Sequence, residues 1–120
     1  MEITESVNYN TIIDQAAGVL KKMGLPITEV YLYGSRARTK DSRRDADIDI
    51  LVTTDDTGLL SDYFTTLEKI NLQLEGEGVR VGDGPGEVSV LIAQKRELDD
   101  PTSSSDPSLF ESIKRDAIKL

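Results

Sequence analysis

Two aspartates alternate inside a short hydrophobic segment, which is an unusual pattern for a β-strand. Asp47 and Asp49 stand in "DADIDILV", where the other side chains are mainly isoleucine, leucine and valine. Because strand side chains point alternately to opposite faces, both carboxylates are expected on the same face. Aspartate is depleted in strands, so a pair of them calls for an explanation. Strand geometry puts their β-carbons about 6–7 Å apart, so the two carboxylates repel each other and are close enough to share a cation. The pair has two interpretations, a divalent-metal site or the solvated beginning of a strand.

A glycine and a serine end the strand that is predicted before this segment. Gly34 follows the β-forming residues "VYLY", and Ser35 comes next. Glycine permits a left-handed turn and a close approach of a ligand to the backbone, and serine adds a hydroxyl donor. If a short helix begins after Ser35, its free N–H groups favour an anion such as phosphate. Ordinary turn chemistry with Ser35 as a helix cap is the alternative.

The segment between Ser35 and Asp47 is basic in an acidic chain. It holds five cations and two aspartates, a local balance of +3, whereas the whole chain carries −8. Guanidinium groups match phosphate oxygens, so a bound triphosphate would account for the cluster. A solvated loop or a contact with an acidic partner would account for it as well. The five cations are Arg36, Arg38, Lys40, Arg43 and Arg44.

The composition narrows the chemistry that this chain can perform. The absence of cysteine and histidine excludes disulfides, thiolate–zinc sites and serine–histidine nucleophiles. A metal would therefore need oxygen ligands, which suit Mg²⁺ or Mn²⁺. The 22 acidic residues against 14 basic ones disfavour general nucleic-acid binding. No apolar run approaches the roughly 18 residues of a membrane span and no signal peptide is evident, so we expect a cytoplasmic protein without a membrane association.

Hydrophobic periodicity predicts one α/β (α+β) domain over residues 1–120, with a small mixed sheet of about four strands packed against helices. We divide it into an N-terminal helix (1–26), a core (27–98), a linker (99–106) and a C-terminal helix (107–120). The helix over 59–74 is expected to bury Leu60, Phe64, Leu67, Ile70 and Leu74. The predicted elements are helix 8–23 stopped by Gly24, strands 28–33 and 47–53, helix 59–74, strands 79–81 and 88–93 around the turn "GDGPG", and a helix capped by Asp106 that begins at Pro107.

The stretch "GSRARTKDSRRDADID" resembles the DNA polymerase β-like nucleotidyltransferase superfamily. Its signature is a Gly-Ser, a spacer and an Asp-x-Asp between hydrophobic positions, and the spacer here has eleven residues. In particular, the chain resembles the minimal nucleotidyltransferases, small palm domains of which some are antitoxins paired with HEPN-domain toxins. The resemblance is strong over residues 27–52 and weaker over "VSVLI" and the final "LFESIKRDAIKL".

The resemblance assigns roles to individual positions. Gly34 and Ser35 match residues that hold the nucleotide's phosphates, and Arg36 and Arg38 lie where the family often has basic residues near them. Asp47 and Asp49 match the carboxylates that coordinate catalytic Mg²⁺ or Mn²⁺, with ATP or another nucleoside triphosphate as substrate.

A third carboxylate normally stands on a later strand in this superfamily. The corresponding position holds Ser89, and Glu87, two residues earlier, is the candidate that could replace it as a catalytic carboxylate.

Three functions follow from the resemblance. The first is a magnesium-dependent enzyme that transfers AMP to a hydroxyl group, presented by a HEPN-type toxin. The second is a weak or inactive nucleotide-binding antitoxin that acts by direct binding to such a toxin. The third is a subunit like those of antibiotic nucleotidyltransferases, which would need an added domain or a homodimer to complete the acceptor pocket.

Overall fold

A mixed β-sheet organises the described part of the chain, residues 9–34, 47–84 and 86–120 of the computed structural model. Within these ranges the strands lie in the order β3-β2-β1-β4. β2 is antiparallel to β1 and parallel to β3, and β4 is antiparallel to β1. This confirms the predicted α/β fold with a small mixed sheet. The strands are β1 (Ile27–Tyr33), β2 (Ile48–Thr54), β3 (Val88–Gln94) and β4 (Ile118–Lys119).

Helices cover both faces of this sheet. Apolar side chains of the first and third helices pack against one face, and those of the fourth and fifth pack against the other. Within the described residues, no helix combines the length and apolar character that a membrane crossing needs. The helices in these ranges are α1 (Tyr9–Lys22), α2 (Thr57–Ser61), α3 (Tyr63–Gly76), α4 (Lys95–Asp99) and α5 (Pro107–Asp116).

The central strand β2 is buried on both faces. Ile48, Ile50 and Val52 belong to the core cluster beneath α1 and α3. Leu51 belongs to the second cluster, with side chains of α4 and α5. Because side chains alternate along a strand, the odd-numbered residues of β2 lie on the α4–α5 face. This alternation decides on which side of the sheet Asp49 is presented.

Local sequence signals predict α1 and the beginning of α5 correctly. Helix α1 buries Ile13, Ala16, Ala17 and Leu20, and the chain leaves it through Gly24 in the left-handed region, at φ +79°. Helix α5 begins at Pro107, and the Asp106 side chain accepts a hydrogen bond from the Leu109 N–H at 3.2 Å. These capping devices are readable without tertiary contacts.

The helix predicted over residues 59–74 is divided in two. Asp56 caps α2 through the Gly58 N–H, and the chain restarts as α3 after Asp62, so the buried stripe of α3 is Thr66, Ile70 and Leu74. The prediction that Phe64 faces the core is wrong, since Phe64 is 82% exposed.

The predicted strand 79–81 is also wrong. Val81 makes a single isolated parallel bridge to Val88, so the glycine-rich turn does not close a hairpin. The fourth strand is β4 instead, because the last helix ends at Asp116 rather than continuing to the final residue. Strand β4 pairs with the free edge of β1, and the Leu120 N–H donates to the Val30 carbonyl at 2.8 Å.

The polar segment "ELDDPTSSSDP", predicted as a linker, is structured at both ends. Its beginning belongs to α4, which buries Leu98, and a 3-10 turn follows at Pro101–Ser103. Pro101 is buried as well. Two apolar anchors therefore hold a segment whose composition resembles that of a loop.

Candidate active site

The turn at the end of β1 packs directly against a carboxylate of β2. Gly34 has φ +78°, a left-handed conformation that side chains other than glycine rarely adopt. A β-carbon at this position would overlap Oδ2 of Asp49 and lie 3.3 Å from its Cγ. Glycine is therefore favoured here for two reasons, the backbone angle and the position of the Asp49 carboxylate, which a β-carbon would force to shift.

The two aspartates stand at the beginning of β2. Asp49 lies within the strand, paired with Tyr33 of β1, and Asp47 precedes the strand by one residue. The intervening Ile48 is fully buried in the core beneath α1 and α3, whereas both aspartates are half-buried. Alternation places both carboxylates on the α4–α5 face, beside the end of β1.

Tyr33 is a neighbour of this pair that the sequence reasoning missed. Burial, together with the negative charges of Asp49 and Asp47, raises the pKa of Tyr33 above its ordinary value. The phenol therefore stays protonated at neutral pH and keeps a hydroxyl donor next to two carboxylates. The signal was present in the sequence, because Tyr33 immediately precedes Gly34 and strand alternation assigns it to the face of Asp49.

Ser89 completes the row across the sheet. In the parallel pairing of β2 with β3, Ser89 is the partner of Asp49. Paired residues of neighbouring strands project from the same face, so Ser89 is the β3 residue that stands beside the aspartates. In the described ranges, no group of three or more histidine, cysteine, aspartate or glutamate side chains is arranged to hold a metal ion.

Comparison with protein families decides what this row of residues belongs to. The model for the family "Polymerase beta, Nucleotidyltransferase" matches residues 15–100, which is 86 of the 120 residues. The chain belongs to this family. The match contains the end of β1, both aspartates and β3. No curated protein matches the sequence significantly.

Membership of the nucleotidyltransferase family implies a nucleoside triphosphate substrate and a divalent cation. The donor set fits such a cation, because Asp47 and Asp49 offer carboxylate oxygens, the ligands that Mg²⁺ prefers. With glycine at position 34, no side chain of the turn residue itself stands between its backbone and the Asp49 carboxylate. Metal and phosphate can therefore approach the backbone at this turn.

In this nucleotidyltransferase domain, the Glu87 carboxylate is bonded to residues of the preceding loop rather than placed beside the aspartates. Glu87 precedes β3, and its carboxylate accepts hydrogen bonds from the Gly84 N–H and from Arg80 Nη2, each at 3.0 Å. The Gly84 bond, followed by Arg80, lowers the pKa of Glu87. To serve as the third carboxylate, Glu87 would have to leave both partners. Gly34 is the described member of the predicted phosphate-binding residues. The remaining three, Ser35, Arg36 and Arg38, lie outside the described residues.

Proposed function

We propose that this domain is a Mg²⁺-dependent nucleotidyltransferase that transfers AMP from ATP to a hydroxyl group on a partner protein. The observation that carries the proposal is the contact between Gly34 and Asp49. It joins the two halves of the family signature, the glycine turn and the Asp-x-Asp strand, in one place. A partner protein as acceptor is what the resemblance of the sequence to the minimal nucleotidyltransferases suggests, since some of these are antitoxins paired with a toxin protein.

Each residue of the site has a role in this proposal. Asp47 and Asp49 would hold the cation, which when bound supplies charge stabilisation for the triphosphate. Gly34 lets the phosphates approach the backbone, and Tyr33 is a positioning residue whose neutral hydroxyl orients carboxylate or phosphate oxygens. Ser35, Arg36 and Arg38 are assigned to the phosphates by the sequence pattern.

The transfer itself is a substitution at the α-phosphorus of ATP. The acceptor oxygen forms a bond to this phosphorus, the α–β phosphoanhydride bond breaks, and pyrophosphate leaves with the bonding electrons. The acceptor proton must go to a base, and Ser89 is no base at neutral pH. We propose that the proton passes to water, or to Glu87 if its carboxylate leaves the loop.

A labelling experiment tests this proposal. The purified chain is incubated with α-labelled ATP, Mg²⁺ and the protein encoded next to its gene. Label should appear on that protein with the wild type and be lost with Asp47→Asn. Mn²⁺ binding, followed by electron paramagnetic resonance, should weaken in the same variant. A wild type that neither binds Mn²⁺ nor transfers label would contradict the proposal.

A second candidate is an interaction subunit that binds nucleotide and neutralises a HEPN-type toxin by contact alone. The pairing of Ser89 with Asp49 favours it, because the neighbouring strand brings no third carboxylate to this position. In that case Asp47→Asn would leave toxin neutralisation unchanged while Mn²⁺ binding is lost. Neutralisation that fails in Asp47→Asn would instead favour the enzyme.

A further inference from the structure

A groove of about 500 Å³ runs along the outer edge of β3, on the side away from β2. Leu60 and Tyr63 form one wall, and Leu109 and Phe110 of α5 form the other. The floor is the β3 segment 91–94. We call this the β3 groove.

The outer edge of β3 carries outward-pointing backbone groups, two of which are already bonded to side chains of the domain. The Ile92 N–H points to this edge, since it donates to the Tyr63 hydroxyl at 3.3 Å, and the Gln94 N–H donates to Glu97. Alternation places the N–H and C=O of Val90 on the same edge. Within the described ranges no loop backbone pairs with Val90. An extended segment could add here as a fifth strand through the backbone of Val90, and pairing with the N–H groups of Ile92 and Gln94 would require it to displace Tyr63 and Glu97.

An exposed aromatic side chain stands beside the β3 groove. Phe64 is 82% exposed and meets Tyr63 edge to face, with ring centroids 5.6 Å apart. Aromatic side chains are enriched in the central contacts of protein interfaces. Phe64 extends the apolar wall of Leu60 and Tyr63 outward to a surface that a partner could cover.

The charge of the β3 groove selects the partner. Glu97 and Asp106 line it, and its lining residues in the described part of the chain include no lysine or arginine, the adjacent Arg96 being bonded to the Gln94 side chain at 2.7 Å. Each carboxylate accepts one backbone hydrogen bond, Glu97 from Gln94 and Asp106 from Leu109, which leaves its negative charge in place. A basic segment is complementary to this groove, whereas a nucleic-acid backbone is repelled by it.

We propose that the β3 groove binds a basic, extended segment of the partner protein, which adds to the sheet beside β3 and places an apolar side chain against Phe64 and Tyr63. The proposal rests on the proposed function in taking this partner to be the acceptor. The Val88 N–H already donates to the Arg80 carbonyl, and the Val88 carbonyl accepts from the Gly82 N–H. The added strand therefore ends beside Ser89. Ser89 lies five residues from Gln94, or about 17 Å along the strand. A segment that follows the groove is thereby led to the aspartates.

Binding of labelled peptides tests the groove without any nucleotide. One fluorescein-labelled peptide of about eight residues alternates lysine with valine, a second alternates glutamate with valine, and a third is the lysine peptide with prolines that remove its strand donors. Fluorescence anisotropy should show binding of the first peptide only. Phe64→Ala should weaken that binding about tenfold, and the double variant Glu97→Gln, Asp106→Asn should weaken it by a similar factor.

Matched variants control for folding and for general charge. Leu72→Ala removes another exposed apolar side chain of α3, and Glu75→Gln removes another exposed charge of the same helix. Both should bind the lysine peptide as the wild type does. Equal effects of Phe64→Ala and Leu72→Ala, or equal binding of all three peptides, would overturn the proposal. A wild-type dimer that Phe64→Ala dissociates, without peptide binding, would assign the groove to a second copy instead.

The same variants separate this proposal from the catalytic one. Asp49→Asn should keep peptide binding and lose Mn²⁺ binding. Phe64→Ala should show the reverse, with Mn²⁺ binding unchanged and labelling of the partner protein reduced. If Mn²⁺ does not bind the wild type but the lysine peptide does, the catalytic proposal fails and the β3 groove remains.

Discussion

Strand β1 carries two tyrosines that each lie beside a carboxylate, Tyr31 within the strand and Tyr33 at its end. Tyr31 donates a hydrogen bond to Glu29, and Tyr33 is paired with Asp49. Burial is the main cause that raises the pKa of both phenols, that of Tyr31 to about 12. The two neighbourhoods start from the same residue types on the same face of one sheet.

The charges around the two carboxylates differ. Glu29 forms ion pairs with Lys119 at 2.8 Å and with Lys95 at 3.3 Å. Hydrogen bonds from Lys119, from Tyr31 and from Lys95 lower the pKa of Glu29 to about 2. Near Tyr33, a second carboxylate, Asp47, stands two residues from Asp49, and the charges of both raise the pKa of Tyr33.

The comparison separates a structural ion pair from a binding site. Around Glu29 the chain supplies its own cations, so the charges link β1 to β4 and to α4. Near Asp49 a second carboxylate, Asp47, is brought up, an arrangement that a bound cation would stabilise. Substitutions around Glu29 should therefore change stability, and substitutions around Asp49 should change metal binding and activity.

The largest expected effect is the loss of transfer in Asp49→Asn. Removing one metal-binding carboxylate should lower the transfer rate about 1,000-fold, equivalent to about 4 kcal/mol of transition-state stabilisation. Thermal unfolding without metal should change much less than the transfer rate, because asparagine keeps the shape of the side chain. If Asp49→Asn unfolds more easily yet keeps its activity, then Asp49 serves stability as Glu29 does, and the distinction between the two carboxylates is wrong.

Gly34→Ala should be next in size, and Gly24→Ala is its matched control. Both glycines have nearly the same positive φ, +78° and +79°, but only Gly34 has a carboxylate where the β-carbon would stand. We expect Gly24→Ala to lower the free energy of unfolding by about 1 kcal/mol from backbone strain. Gly34→Ala should lower it by about 3 kcal/mol, since it adds an overlap with Asp49. Chemical denaturation measures both, and Mn²⁺ binding should weaken only in Gly34→Ala.

Equal stability losses for the two glycine variants would mean that Asp49 moves aside at no cost. The close contact between the glycine turn and Asp49 would then not constrain the site.

A smaller effect is expected from Glu29→Gln, and it should depend on pH. Since the folded-state pKa of Glu29, about 2, lies below its ordinary value of 4.5, its ion pairs stabilise the fold above pH 4.5. This contribution is lost as the pH falls from 4.5 towards 2. Because Lys119 is largely exposed, we expect Glu29→Gln to cost about 1–2 kcal/mol at pH 7. Denaturation at pH 7 and pH 3 measures the change, with exposed Glu75→Gln as the control.

A difference between wild type and Glu29→Gln that stays constant across that pH range would show that packing, and not charge, holds this end of the sheet.

Local signals made much of this molecule predictable. The glycine stop after α1, the Asp106 cap before Pro107 and the alternation around Asp49 each depend on a few adjacent residues. The candidate site rests on a signal of the same kind, a short contiguous pattern, and it stays a prediction. Tyr33 was missed although it immediately precedes Gly34, because the burial that raises its pKa, together with the charges of the two aspartates, is not given by periodicity alone.

The errors arose where distant parts of the chain decide the structure. Phe64 fits the helical period of its segment, but the break at Asp62 rotates the buried stripe away from it. Strand β4 has only two residues, and it exists because the edge of β1 offers partners for its backbone. The segment after β3 is polar in composition, yet buried Leu98 and Pro101 fix it.

Ser89→Asp sharpens the comparison with the smallest expected effect. It places a third negative charge directly across from Asp49, where like charges on neighbouring strands cost about 0.2–1 kcal/mol. Without metal the variant should therefore unfold at a slightly lower temperature than Ser89→Asn, which has the same shape without the charge. With Mg²⁺ the order should reverse, because a cation shared by three carboxylates binds the folded state more tightly than one shared by two. An order that does not change with Mg²⁺ would mean that position 89 lies outside the metal site, and the pairing of Ser89 with Asp49 would then have no bearing on catalysis.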